Sequence, residues 1–183
     1  RAIPNFTVVS PSDPLSTYKA LYACVEPEGP VYVRLTGGPG YPVMYPEDID
    51  FQLGTAIEYR PGSDVAFVST GSLLAEAVGA ADILESKGIS TRVVDMHTVK
   101  PLDADMLDRV FAENKLVVTV EEHSPFGGLG GAVAEYKAGF ANAPKQVMAS
   151  LGDKFQKLGD PTFLMKQNGL TAPDLATLAE TNL

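Results

Sequence analysis

Glu121, Glu122 and His123 stand in a row at the end of an apolar run, Leu116-Val117-Val118-Thr119-Val120. Asp95-Met96-His97 ends a second run in the same way, and these are the only two histidines in the chain. Carboxylates beside imidazoles are the raw material of general acid–base work or of a metal site, provided the two loops meet. The other reading is that each histidine only hydrogen-bonds its own loop. No HExxH-type spacing is present, so His97 and His123 are expected to bind no metal. Ser69, Ser72 and Ser124 also fall near strand ends, but none sits in the G-x-S-x-G setting that would sharpen it into a nucleophile.

The glycine cluster Gly127-Gly128-Leu129-Gly130-Gly131 follows the acidic pair. A dinucleotide fingerprint needs a third glycine, and Val133 occupies that place after Gly128-x-Gly130. Two uses of the glycines remain. Backbone N–H groups at a helix start there could hold an anion, or the glycines could simply permit a tight turn and a close approach of helix to sheet. His97, Glu121, Glu122, His123, Gly128 and Gly130 are thus the candidates for lining a crevice.

Elements must position these residues. Residues 6–10 read as a strand. Asp13 is a good N-cap and Pro14 suits the first helical turn. The helix that follows carries Leu15, Tyr18, Leu21, Tyr22 and Val25 at the spacing of one apolar face, and Cys24 is expected buried on it. Residues 31–35 form a second strand, so 1–35 spell a βαβ unit with parallel strands. Two parallel strands and a helix leave sheet surface uncovered, so the unit reads as the end of a larger domain. Gly37-Gly38-Pro39-Gly40, Pro42 and Pro46 mark a linker. Its glycines could cradle a phosphate, but the Lys-Ser/Thr of a P-loop is missing.

The second segment, 47–183, alternates strand and helix. A short strand at 55–59 and the Pro61-Gly62 turn suggest a hairpin into 65–69. A helix over 73–86 has Leu74, Ala77, Val78, Ala81 and Leu84 on one side and ends at Gly88. Residues 90–95 are a strand, 98–103 a loop, and Asp103 caps a helix with Met106, Leu107, Val110 and Phe111 facing inward. The run at 116–120 is the next strand, with helix content from Ala132 onward. A last strand at 146–151 precedes two short helices, one beginning near Asp160-Pro161 and one at Thr171-x-x-Asp174, a box-like start. The expected fold is α/β: a three-layer α/β/α domain with a mostly parallel sheet and one antiparallel edge strand. Sites in such sheets lie at the carboxyl ends of the strands, where the acidic and histidine residues cluster.

Composition narrows the class. The chain of 183 residues is 45% hydrophobic with a net charge of −9 and one cysteine. It has no basic cluster, so nucleic acid is not an expected partner. Internal disulfides and cysteine metal sites are excluded, and a reducing, cytoplasmic setting fits. No apolar stretch reaches spanning length, so no membrane partner is expected.

Ser69-Thr70-Gly71-Ser72, the run from Asp95-Met96-His97 through Lys100-Pro101-Leu102-Asp103, Val120-Glu121-Glu122-His123-Ser124 and Gly127-Gly128-Leu129-Gly130 occur in an order that resembles the C-terminal domain of the transketolase family. Arg1-Ala2-Ile3-Pro4-Asn5 with Pro11-Ser12-Asp13-Pro14 resembles the end of that family's pyrimidine-binding domain, placing a boundary near residue 46. The tail Gly159-Asp160-Pro161…Gly169-Leu170-Thr171 is most similar to the shorter, two-part members. The resemblance implies transfer of two-carbon ketol units by a complete enzyme that uses thiamine diphosphate and Mg²⁺. The family also holds deoxyxylulose-phosphate synthases and 2-oxoacid dehydrogenase β subunits. It further implies that the activating glutamate and the diphosphate and Mg²⁺ site belong to an upstream portion or a partner subunit. This chain is then a packing module, expected to form a homodimer and to hold no cofactor and no catalytic group of its own. Where some members carry a sugar-phosphate arginine, this sequence has Thr36-Gly37-Gly38.

Overall fold

The structure is a computed structural model and describes residues 1–36 and 42–183. The phosphate-cradle reading of Gly37-Gly38-Pro39-Gly40 lies outside the described residues.

A five-stranded sheet forms the centre. Its strands are β3 (Ile57–Arg60), β5 (Thr91–Asp95), β4 (Val65–Ser69), β7 (Leu116–Val120) and β8 (Lys145–Ala149), in that spatial order. All neighbours pair in parallel except β3, which runs antiparallel along β5 at the edge. The central strands β4, β5 and β7 are buried along their whole length, as continuous β-branched runs in a two-faced sheet must be. Alternate side chains serve opposite layers. Phe67, Val93 and Val118 pack under α2 (Leu74–Glu85) and α6 (Ala172–Asn182). Ala66, Val68, Val94 and Val117 pack under α3 (Ala104–Glu113) and α4 (Leu129–Lys137). The three-layer arrangement is the expected one. In α2, Leu74, Ala77, Ala81 and Leu84 are buried as the spacing requires, with Ala80, while Val78 is only half-buried. Asp103 caps α3 by accepting the Met106 N–H at 2.9 Å, and Met106, Leu107, Val110 and Phe111 are the buried set.

The hairpin expected between β3 and β4 does not form. The Pro61-Gly62 turn passes directly over the start of β5; a Cβ on Gly62 would lie 2.3 Å from the Arg92 nitrogen. The chain therefore leaves β3 on the far side of β5 and enters the middle of the sheet. Residues 98–100, expected as loop, are a strand, β6 (Thr98–Lys100). It runs antiparallel to β1 (Thr7–Val9), which pairs in parallel with β2 (Val31–Val33), making a second sheet ordered β2-β1-β6. The βαβ unit is therefore tied by backbone hydrogen bonds to a strand from the second segment.

Between β1 and β2 lies α1 (Pro14–Ala23), started by a full capping box: the Asp13 carboxylate accepts the Ser16 N–H while the Ser16 hydroxyl accepts the Asp13 N–H. Of its spaced apolar residues Leu15 packs against the core, and the others do not. Tyr22 is 65% and Val25 82% exposed, with Tyr18 and Leu21 also open, and the buried residues of α1 are Ser16 and Ala20. Cys24 is the half-buried C-cap and not a core residue. The helix after the glycines begins at Leu129, with Gly128 as N-cap, three residues before the sequence suggested. The last two helices are α5 (Pro161–Gln167), capped by Asp160, and α6. At the start of α6 the Thr171 hydroxyl bonds the Asp174 carboxylate, in place of the reciprocal backbone bonds of a capping box.

Candidate functional site

In an open parallel sheet the ligand crevice opens where the strand order reverses, outside the carboxyl ends of the strands. Here the chain steps from β4 to β5 on one side and returns to β7 on the other, so the reversal lies between β4 and β7. The residues that emerge there are Thr70-Gly71-Ser72 after β4 and Glu121-Glu122 after β7, with Asp95-Met96-His97 beside them after β5.

The chain's own first segment sits across these strand ends. The Gly71 N–H donates to the Ser10 carbonyl at 3.0 Å, and the Ser10 N–H donates to the His97 carbonyl at 2.7 Å. Gly71 has φ +64°, and a Cβ there would come 2.7 Å from the Ser10 hydroxyl, so this contact needs glycine. The Ser12 hydroxyl donates to Asp95 Oδ2 at 2.7 Å, and Arg34, at the end of β2, donates to the Glu122 carbonyl at 2.8 Å. Beyond the linker, the Met44 and Tyr45 N–H groups donate to the Asp13 carboxylate at 3.0 Å each, and the Tyr45 hydroxyl donates to Asp95 at 2.9 Å. The ends of β4, β5 and β7 thus each bond to Ser10, Ser12, Arg34 or Tyr45.

Among the candidate residues, Glu121 is 2% exposed and turns back onto its own glycine turn. Its two carboxylate oxygens accept the Leu129 and Gly130 N–H groups at 2.7 and 2.8 Å. The helix start does hold an anion, and the anion is Glu121. Gly128 must be glycine because a Cβ there would fall 2.0 Å from Glu121 Oε2. Gly130 lets α4 approach the sheet, a Cβ meeting Thr119 Oγ1 at 2.9 Å and Met148 Cγ at 3.0 Å. Both expected uses of the glycines, anion holding and close approach, are thus served within the chain.

Glu122 lies on the other side of the strand end. The Ser72 hydroxyl approaches its carboxylate at 3.4 Å, and it lines a cavity of about 290 Å³ with Arg34, Thr36 and residues of α5. His123 is half-buried, its Nδ1 2.8 Å from the Ser124 carbonyl, on the wall of a separate cavity of about 240 Å³ shared with Arg1, Ser10, Arg34 and Glu121. His97 is fully buried, stacked on Phe51 with ring centres 4.0 Å apart and its Nδ1 2.9 Å from the Thr98 hydroxyl. Burial pushes the His97 imidazole down to about 4, so it is neutral at neutral pH. The two histidines occupy different surroundings, and no cluster of three or more His, Cys, Asp or Glu suited to a metal occurs among the described residues. The residues the sequence did not single out are Ser12, Asp13 and Tyr45. Asp13 was legible only as a helix cap, and its second oxygen serves the far side of the linker.

The fit of a diphosphate and Mg²⁺ can be judged on these groups. At the helix start after β7, Glu121 fills the Leu129 and Gly130 N–H groups, so those two donors are not open to a diphosphate. No helix among the described residues is long and apolar enough to cross a membrane.

Comparison with known proteins agrees with this geometry. Residues 54–175 match the family described as transketolase, C-terminal domain. A protein of Methanocaldococcus jannaschii described as a transketolase C-terminal section is 36% identical over 178 residues, covering 96% of this chain and 55% of its own. A 6-deoxy-6-sulfo-D-fructose transketolase subunit of Clostridium sp. is 36% identical over 179 residues, covering 98% of this chain and 55% of its own. The solved structure of a split-gene transketolase, an inactive beta4 tetramer, superposes with a TM-score of 0.94 at 38% identity over 100% of this chain and 59% of that one. The chain thus spans somewhat more than half the length of these relatives. Strand order, a reversal point closed by the chain's own first segment, and likeness along the whole chain lead to one assignment: this protein belongs to the transketolase C-terminal domain family.

Proposed function

We propose that this chain is the C-terminal portion of a transketolase-type enzyme of the two-part kind, which moves two-carbon ketol units between sugars with thiamine diphosphate and Mg²⁺. Residues 1–46 are the end of a pyrimidine-binding domain with its linker, and 47–183 are the C-terminal domain. The cofactor, its metal and the activating glutamate belong to an upstream portion or partner subunit, and this piece serves packing and assembly in the cytoplasm. The observation that carries the reading is the engagement of the crevice at the sheet reversal by residues 10–16 and Arg34, which leaves the strand-end groups to hold the first segment. The open face of α1, with Tyr18, Leu21, Tyr22 and Val25, supports a protein neighbour on that side. The names of the two-part relatives support the same assignment.

The test is reconstitution. A coupled ketol-transfer assay should be silent with this chain alone and active once an upstream portion bearing the pyrimidine- and diphosphate-binding regions is added. Turnover by the chain alone contradicts the proposal. The same open faces lead us to expect self-association, most simply a two-fold dimer, read by sedimentation; a monomer at high concentration would contradict that part.

A second reading has its own support. A 1-deoxy-D-xylulose-5-phosphate synthase of Heliobacterium modesticaldum is 34% identical over 182 residues, covering 98% of this chain and 28% of its own. The donor in the reconstituted assay separates the two: a ketose for ketol transfer, or pyruvate, with release of CO2, for the synthase reaction.

A further inference from the structure

Asp95 ends β5 with no exposure to solvent. Its Oδ2 accepts the Ser12 hydroxyl at 2.7 Å and the Tyr45 hydroxyl at 2.9 Å, while Oδ1 is buried with no partner among the described residues. The three residues come from the start of α1, from the far side of the linker and from the large sheet, so this one carboxyl joins all three. We infer that Asp95 is a pH-responsive clasp that fastens residues 10–16 and Met44-Tyr45 to the large sheet, tight when protonated and loosened when ionised.

The surroundings favour the neutral acid. From the start of α1, the facing charge is Asp13, whose carboxylate already accepts the Ser16, Met44 and Tyr45 N–H groups. From the far side of the linker comes the Tyr45 phenol, raised above its ordinary range by burial and then by Asp95 itself. From β3, Tyr59 packs edge-on against Tyr45 and donates its hydroxyl to the Met44 carbonyl. From β4, Ser69 is the register neighbour of Asp95 and donates to the Val94 carbonyl. His97 follows two residues on, stacked on Phe51. No Lys or Arg bonds Asp95 among the described residues. A buried carboxylate without a cation, and with one oxygen bare, is costly to ionise, and Oδ1 is the oxygen free to carry a proton.

Burial pushes the Asp95 carboxyl up to about 7 from its ordinary 3.8, against the pull of the Ser12 and Tyr45 hydrogen bonds and with the help of the Asp13 charge. An acid raised on folding contributes stability that is complete below its unfolded value and is lost as pH rises through the folded one. The loss therefore spans the interval from 3.8 to about 7. Release of residues 44–45 lets water reach the carboxylate without disturbing the hydrogen-bonded strands, so the effect is local. It is independent of what reaction the assembled enzyme performs.

The test uses the whole chain and its Asp95→Asn variant, which keeps the shape and an acceptor for both hydroxyls but cannot ionise. The readouts are the Asp95 carboxyl-carbon resonance and hydrogen exchange at the Met44 and Tyr45 amides, corrected for the intrinsic rate at each pH. We expect a carboxyl midpoint near neutrality. Protection at both amides should fall at least about tenfold between about pH 5 and about pH 8 in the parent, and stay level in Asp95→Asn. A midpoint below about pH 5, level protection in the parent, or an equal fall in the variant overturns the clasp. If Asp95→Asn does not fold, Ser12→Ala takes its place. Losing a donor to the ionised form should raise the midpoint, and an unmoved midpoint overturns the proposal.

Discussion

Single residues here act mostly as internal ligands. Glu121 is the best case, a buried carboxylate held by two backbone N–H groups at the start of α4. Glu121→Gln removes the charge and one acceptor oxygen, and is expected to cost about 2 kcal/mol, the scale of charge-assisted bonds in a buried setting. Gly128→Ala should cost at least as much, because its Cβ would stand 2.0 Å from the same carboxylate. Combined, the two should fall short of additive, since both act by displacing Glu121; thermal unfolding of the three variants checks this. His97 gives the acid-side prediction. Its imidazole is held down at about 4 by burial, so the unfolded chain takes up a proton that the folded one refuses. A depressed value contributes stability that is complete above the ordinary 6.5 and is lost as pH falls toward about 4. The loss is on the order of 3 kcal/mol. Asp95 works in the opposite sense over an overlapping interval, so the His97 effect is cleanest in the Asp95→Asn background. Denaturant unfolding at a series of pH values in that background should show stability declining below about pH 6.5. A level profile would remove the argument.

At the scale of elements, the long periodic stretches were legible in the sequence and the short ones were not. α2 and α3 bury the residues their spacing marks, Val78 only partly, because about three turns of consistent pattern leave one solution. β4, β5 and β7 read as continuous apolar runs because both faces are covered. β6 escaped because three residues, Thr98-Val99-Lys100 before a proline, carry no period, and their partner β1 lies about ninety residues earlier. The β3–β4 hairpin was the natural local solution, and it lost to a turn that must clear the start of β5. The apolar spacing of α1 is genuine, yet beyond Leu15 its face has no cover among the described residues; a periodic pattern says that a surface wants burial, and not what buries it. Asp103 ties two elements at once, accepting Met106 N–H with one oxygen and Ala56 N–H, at 2.7 Å, with the other. Asp103→Ala should therefore exceed the usual cap loss of about 1 kcal/mol and approach about 2 kcal/mol. Asp103→Asn, which keeps one acceptor, should recover about half; equal losses for the two variants would show that only the cap matters.

For the whole molecule, the strand-end crevice of the large sheet is where a related fold would bind a small molecule, and here it binds the rest of the chain. Sequence placed Asp95, His97, Glu121 and Glu122 at these strand ends, where their types suggested chemistry; the bonds they make include backbone N–H groups, hydroxyls and Arg34 within the same chain. What cannot be read from residue types is whether a donor near a carboxylate belongs to a ligand or to the protein. On the proposed reading, this chain contributes architecture to a thiamine enzyme whose cofactor is held elsewhere. The most direct measurement is calorimetric titration with thiamine diphosphate and Mg²⁺, first of the chain alone and then of the chain mixed with an upstream portion. No measurable heat of binding is expected for the chain alone, and saturable binding for the mixture. Saturable, micromolar-range binding to the chain alone would contradict it.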